Sequence, residues 1–145
     1  MKKITQLLFL LILASTFSFC KVKKYTPVDY PKGQIIFGSG GGFAGTVTEY
    51  VLLENGQLFT KKSLEGEYQN VKKLERNVVK QMFNNISFLK IEEVELNEPG
   101  NMYYYLQIKN KNSDHRIVWG GSQPAPKEIK NFYNTLNYLC KGDKR

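Results

Sequence analysis

The stretch Gly38-Ser-Gly-Gly-Gly-Phe-Ala-Gly45 decides how this chain folds. From Gly40 onward it matches the spacing G-x-G-x-x-G, for which two structural settings compete. A dinucleotide cradle needs a strand before the glycines and a helix N-terminus straight after them, so that the helix end meets the pyrophosphate. A bend between neighbouring strands needs only the conformational freedom of glycine. The flanking residues select the bend. Gln34-Ile-Ile-Phe37 is a short apolar strand, and Thr46-Val-Thr-Glu-Tyr-Val-Leu-Leu53 is rich in β-branched and aromatic residues. No Gly-Lys-Ser/Thr closes the run, so a P-loop is absent, and Gly-x-Ser-x-Gly fails around Ser39 because position 37 is Phe.

Working outward, Asn55-Gly56 is a strong hairpin signal and predicts a type I′ turn into Gln57-Leu-Phe-Thr-Lys61. Leu74, Val78, Val79, Met82, Phe83 and Ile86 recur at helical spacing, which predicts an amphipathic helix ending near Asn84 and Asn85. Phe88, Leu89 and Ile91 are expected to pack as the chain leaves it. Residues 62–73 are ambiguous, with 68–73 a candidate extra strand. Met102-Tyr-Tyr-Tyr-Leu-Gln-Ile108 and His115-Arg-Ile-Val-Trp119 form a second hairpin about a polar loop. Ile129, Phe132, Tyr133, Leu136, Leu139 and Cys140 make the stripe of a last helix, with Pro126 suited to its first turn and Gly142 to its cap. Strands that come as hairpins point to an α+β fold: an antiparallel sheet of four to five strands with two amphipathic helices packed on one face.

The first residues bear on location. Lys2 and Lys3 precede an apolar run from Leu7 to Ala14 and a zone of small residues ending at Cys20. This is the pattern of a bacterial secretory signal over residues 1–19, and the run is too short for a membrane span of about 20 residues. Cys20 stands where a lipoprotein signal places its acylated cysteine, with residues 20–33 as a tether, a domain over 34–142 and a tail over 143–145. Phe19 occupies a position where lipoprotein signals favour a small residue, whereas Thr16 and Ser18 suit ordinary cleavage before Phe19. In that second reading Cys20 stays a free thiol or pairs with Cys140. The expected location is the bacterial cell envelope with a lipid anchor in one case, and the secreted or periplasmic space in the other.

Charge and composition narrow the function classes. The 145 residues carry a formal net charge of +8, and loss of Lys2 and Lys3 with the signal leaves +6. Lys21, Lys23, Lys24, Lys141, Lys144 and Arg145 place much of that charge at the two ends, where it favours anionic headgroups. Nucleic acid would instead call for a basic face on the folded part. Two Cys and one His fall short of a four-ligand zinc site built from Cys and His. Glu92, Glu93, Glu95 and Glu98, like Glu65 and Glu67, lack an Asp-x-Asp frame and read as solvated faces rather than a metal or acid–base site. His115 reads as a polar strand residue. No cofactor motif is present.

What remains is binding. Phe43, an apolar ring within glycines, either tucks back as a plug or projects as an anchor for a partner. Trp119 either fills core or forms a shallow platform beside Gly120 and Gly121. The candidate partner-binding residues are therefore Ser39, Gly40, Gly41, Gly42, Phe43, Ala44, Gly45 and Trp119.

The order of these elements resembles the emfourin family: a first strand ending in Ser39-Gly-Gly-Gly-Phe-Ala-Gly45, a hairpin, a helix closed by Phe88-Leu89, two strands and a terminal helix. Its members are small proteinaceous inhibitors of thermolysin-like metallopeptidases. The resemblance covers about residues 34–139 and implies an α+β fold without catalytic residues. It also implies a secreted metallopeptidase as protein partner. The other expectation is a structural or interaction lipoprotein in an envelope complex.

Overall fold

The computed structural model describes residues 24–141. The signal over 1–19, Cys20 and its lipidation, Lys21, Lys23, Gly142 and the tail over 143–145 lie outside the described residues.

Eight elements of regular structure and one short 3-10 turn follow in order. They are β1 (Gln34–Gly41), β2 (Thr46–Leu53), β3 (Gln57–Lys61), β4 (Gln69–Lys73), α1 (Arg76–Phe88), the turn Ile91–Glu93, β5 (Met102–Lys109), β6 (Asp114–Trp119) and α2 (Lys127–Cys140). The strands make one sheet in the order β4-β3-β2-β1-β5-β6, antiparallel throughout. The fold is thus α+β as expected, but with six strands in place of four to five. The added strand is β4, whose Gln-Asn-Val-Lys-Lys is largely exposed. An edge strand held by backbone bonds to β3 needs no apolar alternation, so its sequence carried little signal.

The two sheet faces are covered differently. Ile35 and Phe37 of β1, Leu52, Leu58, Leu106, Ile108, Ile117 and Trp119 pack against Val79, Met82 and Ile86 of α1 and Ile129, Phe132, Tyr133 and Leu136 of α2. On the opposite face Ile36, Val51, Leu53, Phe59, Tyr105 and Val118 form a second cluster with Tyr30. The residues read as tether enter here, as far as they are described. The Thr26 amide and hydroxyl donate to Asp29 Oδ1 at 2.6 and 2.8 Å, and Gln34 Nε2 donates to the Pro27 carbonyl at 3.0 Å. Tyr25 stacks edge-on to Tyr30, their centroids 5.4 Å apart. Two tyrosines supply the apolar area that a count of aliphatics overlooks.

Local departures have local causes. The β2–β3 connection has three residues, with Gly56 at φ 92° and its amide donating to the Leu53 carbonyl at 2.8 Å. Asn55 is not at positive φ, so a type I′ turn is not formed; a three-residue loop closed by a left-handed glycine replaces it. Helix α1 runs past Asn84 and Asn85 because Ile86 still faces the core; it ends at Phe88, and Lys90, left-handed at φ 50°, turns the chain away two residues on. Leu89 packs on the core there, whereas Phe88 points to solvent. The outer edge of β6 is closed by residues 96–98, through Glu98 N–H to Val118 O at 3.0 Å and Val118 N–H to Leu96 O at 2.9 Å.

Candidate functional site

The glycine-rich stretch divides between strand and turn. Gly38, Ser39, Gly40 and Gly41 belong to β1, paired on one side with β2 and on the other with Tyr105, Tyr104, Tyr103 and Met102 of β5. Only residues 42–45 make the connection, and β2 starts at once after Gly45, so no helix end stands where a pyrophosphate would bind. A Cβ on Gly38 would collide with the Thr48 carbonyl and reach within 2.8 Å of the Tyr105 hydroxyl; one on Gly40 would lie 2.6 Å from the Tyr103 hydroxyl. These glycines therefore clear a track along the helix-free face for two tyrosine rings. Gly41, at φ 102°, turns the chain out of the strand.

The turn itself is held by the Gly42 amide donating to Asn101 O at 2.8 Å and the Gly45 amide to Gly42 O at 3.1 Å. Phe43 at its apex is fully exposed. It projects and does not plug. Gly42, on the loop, approaches Met102, whose side chain is about half exposed, and two residues on along the same face Tyr104 is 40% exposed. The end of the sheet where β1 and β6 finish and β2 and β5 begin thus carries Phe43, Met102 and Tyr104 together.

Trp119 lies beneath this end, not on it. It is buried, with Tyr133 edge-on at 5.1 Å and Tyr104 stacked over it at 6.0 Å between centroids. The outer aromatic surface is Tyr104, since alternation along β5 sends Tyr103 and Tyr105 to the opposite face. Tyr133 ties α2 to the site by donating to the Gly38 carbonyl at 2.9 Å, and Ser39 hydrogen-bonds the same hydroxyl. Lys130 and Asn134 join these rings in lining a shallow hollow.

The helix-free face holds a charged group that the sequence reading passed over. Glu49 accepts hydrogen bonds from the hydroxyls of Tyr68 at 2.7 Å and Tyr105 at 2.8 Å, and lies 3.3 Å from the Lys61 ammonium. Arg116 sits 4.2 Å above the Tyr105 ring. Burial disfavours the Glu49 carboxylate, yet these donors outweigh it and hold the group below its ordinary value. The same burial and the neighbouring carboxylate raise the Tyr68 and Tyr105 hydroxyls well above theirs. The available signal was phase: Glu49 alternates with Val47, Val51 and Leu53, so it had to share their face. Its acceptor sites are met within the chain, which makes it a fastener between β2, β3 and β5.

Other candidates take structural places. His115 is half-buried and donates from Nε2 to the Val94 carbonyl at 3.0 Å. Burial pushes the Cys140 thiol up to about 12, and it contacts the Leu136 carbonyl at 3.3 Å. Among the described residues no three His, Cys, Asp or Glu side chains gather in a metal-binding group, and no helix is long and apolar enough to cross a membrane. Site and fold together define a class: an antiparallel sheet that holds out an exposed aromatic ring on a turn fixed by backbone hydrogen bonds. No family model matches the chain, and no curated protein matches it.

Proposed function

We propose that this protein is an exported, lipid-anchored, non-enzymatic binding protein that engages a protein partner through the turn at residues 42–45, with Phe43 as the anchor side chain and Cys20 as the acylated residue. The observation that carries the reading is a fully exposed aromatic ring on a turn fixed by backbone bonds to Asn101 and by strands on both sides of β1. A turn whose backbone is held this way loses little main-chain freedom on docking, which favours its exposed ring as an anchor. Met102 and Tyr104 extend the contact along the sheet end. The resemblance to emfourins supports a thermolysin-like metallopeptidase as the partner, inhibited sterically by occupation of its cleft.

The test is inhibition of a thermolysin-type peptidase by the mature protein. Wild type is expected to inhibit, and Phe43→Ala to lose inhibition while keeping its melting temperature. Exposed Phe88 and Tyr138, at the C-terminal turns of the two helices, favour a second reading as an interaction subunit of an envelope complex. Capture from membranes separates the two: a stoichiometric non-peptidase partner retained by Phe43→Ala replaces the inhibitor reading.

A further inference from the structure

We infer that the end of the domain opposite Phe43 is a lipid-facing surface for anionic headgroups, and that the molecule stands on the membrane with its docking tip turned outward. The inference rests on the lipid-anchor reading of Cys20 and adds a surface and an orientation to it. The first observation is chain length. Tyr25 packs on the second core cluster, and four residues lie between it and Cys20, five chain steps with a reach of at most about 17 Å. Tyr25 and Tyr30 sit near the start of β1, because Gln34 bonds back to Pro27 and the Gly33 amide to Glu54 at 3.2 Å. An anchor on so short a tether holds this end against the bilayer.

The second observation is charge. Lys24 and Lys32 are exposed on the packed segment, and Val28 projects from its turn at 84% exposure. Gln34 pairs with Lys109, which brings the β5–β6 hairpin with exposed Lys109 and Lys111 to the same end. Lys21 and Lys23 precede them in sequence. The acidic groups at that end include Asp29, Glu54 and Asp114, with Glu92 beside the hairpin through the Ser113 hydroxyl at 3.0 Å, and each accepts a hydrogen bond from within the chain. A lysine ring around one apolar tip suits an anionic interface. Eight residues of β1 then place the Phe43 turn about 25 Å farther from the surface.

The experiment uses the mature protein as the host processes it. The mass of its N-terminal peptide decides whether Cys20 is acylated. If it is, the protein is placed in phosphatidylcholine vesicles containing brominated phosphatidylglycerol, which quenches indole only at near contact. Emission from native Trp119, near the far end, is expected to stay within about a tenth of its value in unbrominated vesicles, whereas Val28→Trp adds emission that is lost at least twofold. Quenching of Trp119, or an unquenched added component, overturns the orientation. If Cys20 is not acylated, the anchor reading falls by itself, and sedimentation decides the surface. Binding to phosphatidylglycerol vesicles over neutral ones, weakened about tenfold by Lys109→Glu with Lys111→Glu, supports it, and equal binding to both overturns it.

Discussion

Gly38 shows how one missing side chain sets a local structure. The space that its Cβ would need is taken by the Thr48 carbonyl and the Tyr105 ring, so Gly38→Ala must move backbone or expel a core tyrosine. Such overpacking costs about 1–3 kcal/mol, a large part of a total stability of about 5–15 kcal/mol. We expect a clear drop in the denaturation midpoint. Phe43→Ala, by contrast, removes a ring that touches solvent alone, and its stability should stay within about 0.5 kcal/mol of wild type. The pair separates the structural role of the glycine run from the binding role proposed for its apex. Residue-scale chemistry also sets the pH response. Because Glu49 is held below its ordinary value when folded, its contribution is complete above the unfolded carboxylate value near 4.3 and is lost as pH falls through the lower folded value. Glu49→Gln should flatten that part of the acid unfolding curve. Tyr68 and Tyr105 act in the other direction: their stabilisation is full below the unfolded tyrosine value of about 10 and fades as pH rises above it. Phenolate absorbance should therefore appear for these two only together with alkaline unfolding.

Elements were legible where their side chains alternate between core and solvent. The stripes of α1 and α2 read directly from their spacing, and β2 and β5 from their β-branched and aromatic content. β1 was read too short, because Gly38 to Gly41 offer only the Ser39 side chain and no period, although their backbone pairs on both sides. β4 was legible only as a candidate strand over 68–73, since its side chains are mostly in water and its membership is a matter of backbone bonds. The exposed apex was visible as an apolar ring among glycines, but Met102 and Tyr104 join it only through the β1–β5 register, a long-range fact. The packed segment before β1 makes a prediction at this scale. Tyr30→Ala should destabilise by about 3 kcal/mol, as for other large core truncations, although Tyr30 precedes the first strand. A urea midpoint unchanged from wild type would return that segment to the status of a loose leader.

At the scale of the molecule, the sheet has two ends with different surfaces and two edges with different closures. The Phe43 turn and the lysine-rich end lie at opposite limits of β1, so one strand sets the distance between the proposed partner site and the proposed anchor. The edges bear on crowding. At the β6 side residues 96–98 pair with Val118 on the outer hydrogen-bonding row. At the β4 side the row is open, but it is short, irregular at Leu58 and Phe59, and carries Lys72 and Lys73. Proteins confined to two dimensions meet side by side far more often than in solution, and an open sheet edge under those conditions is a template for polymerisation. Under the anchoring proposed above, a neighbour approaching from one flank finds Val118 already paired with Leu96 and Glu98, and from the other meets Lys72, Lys73 and a shifted register, so both flanks disfavour the joining of copies edge to edge.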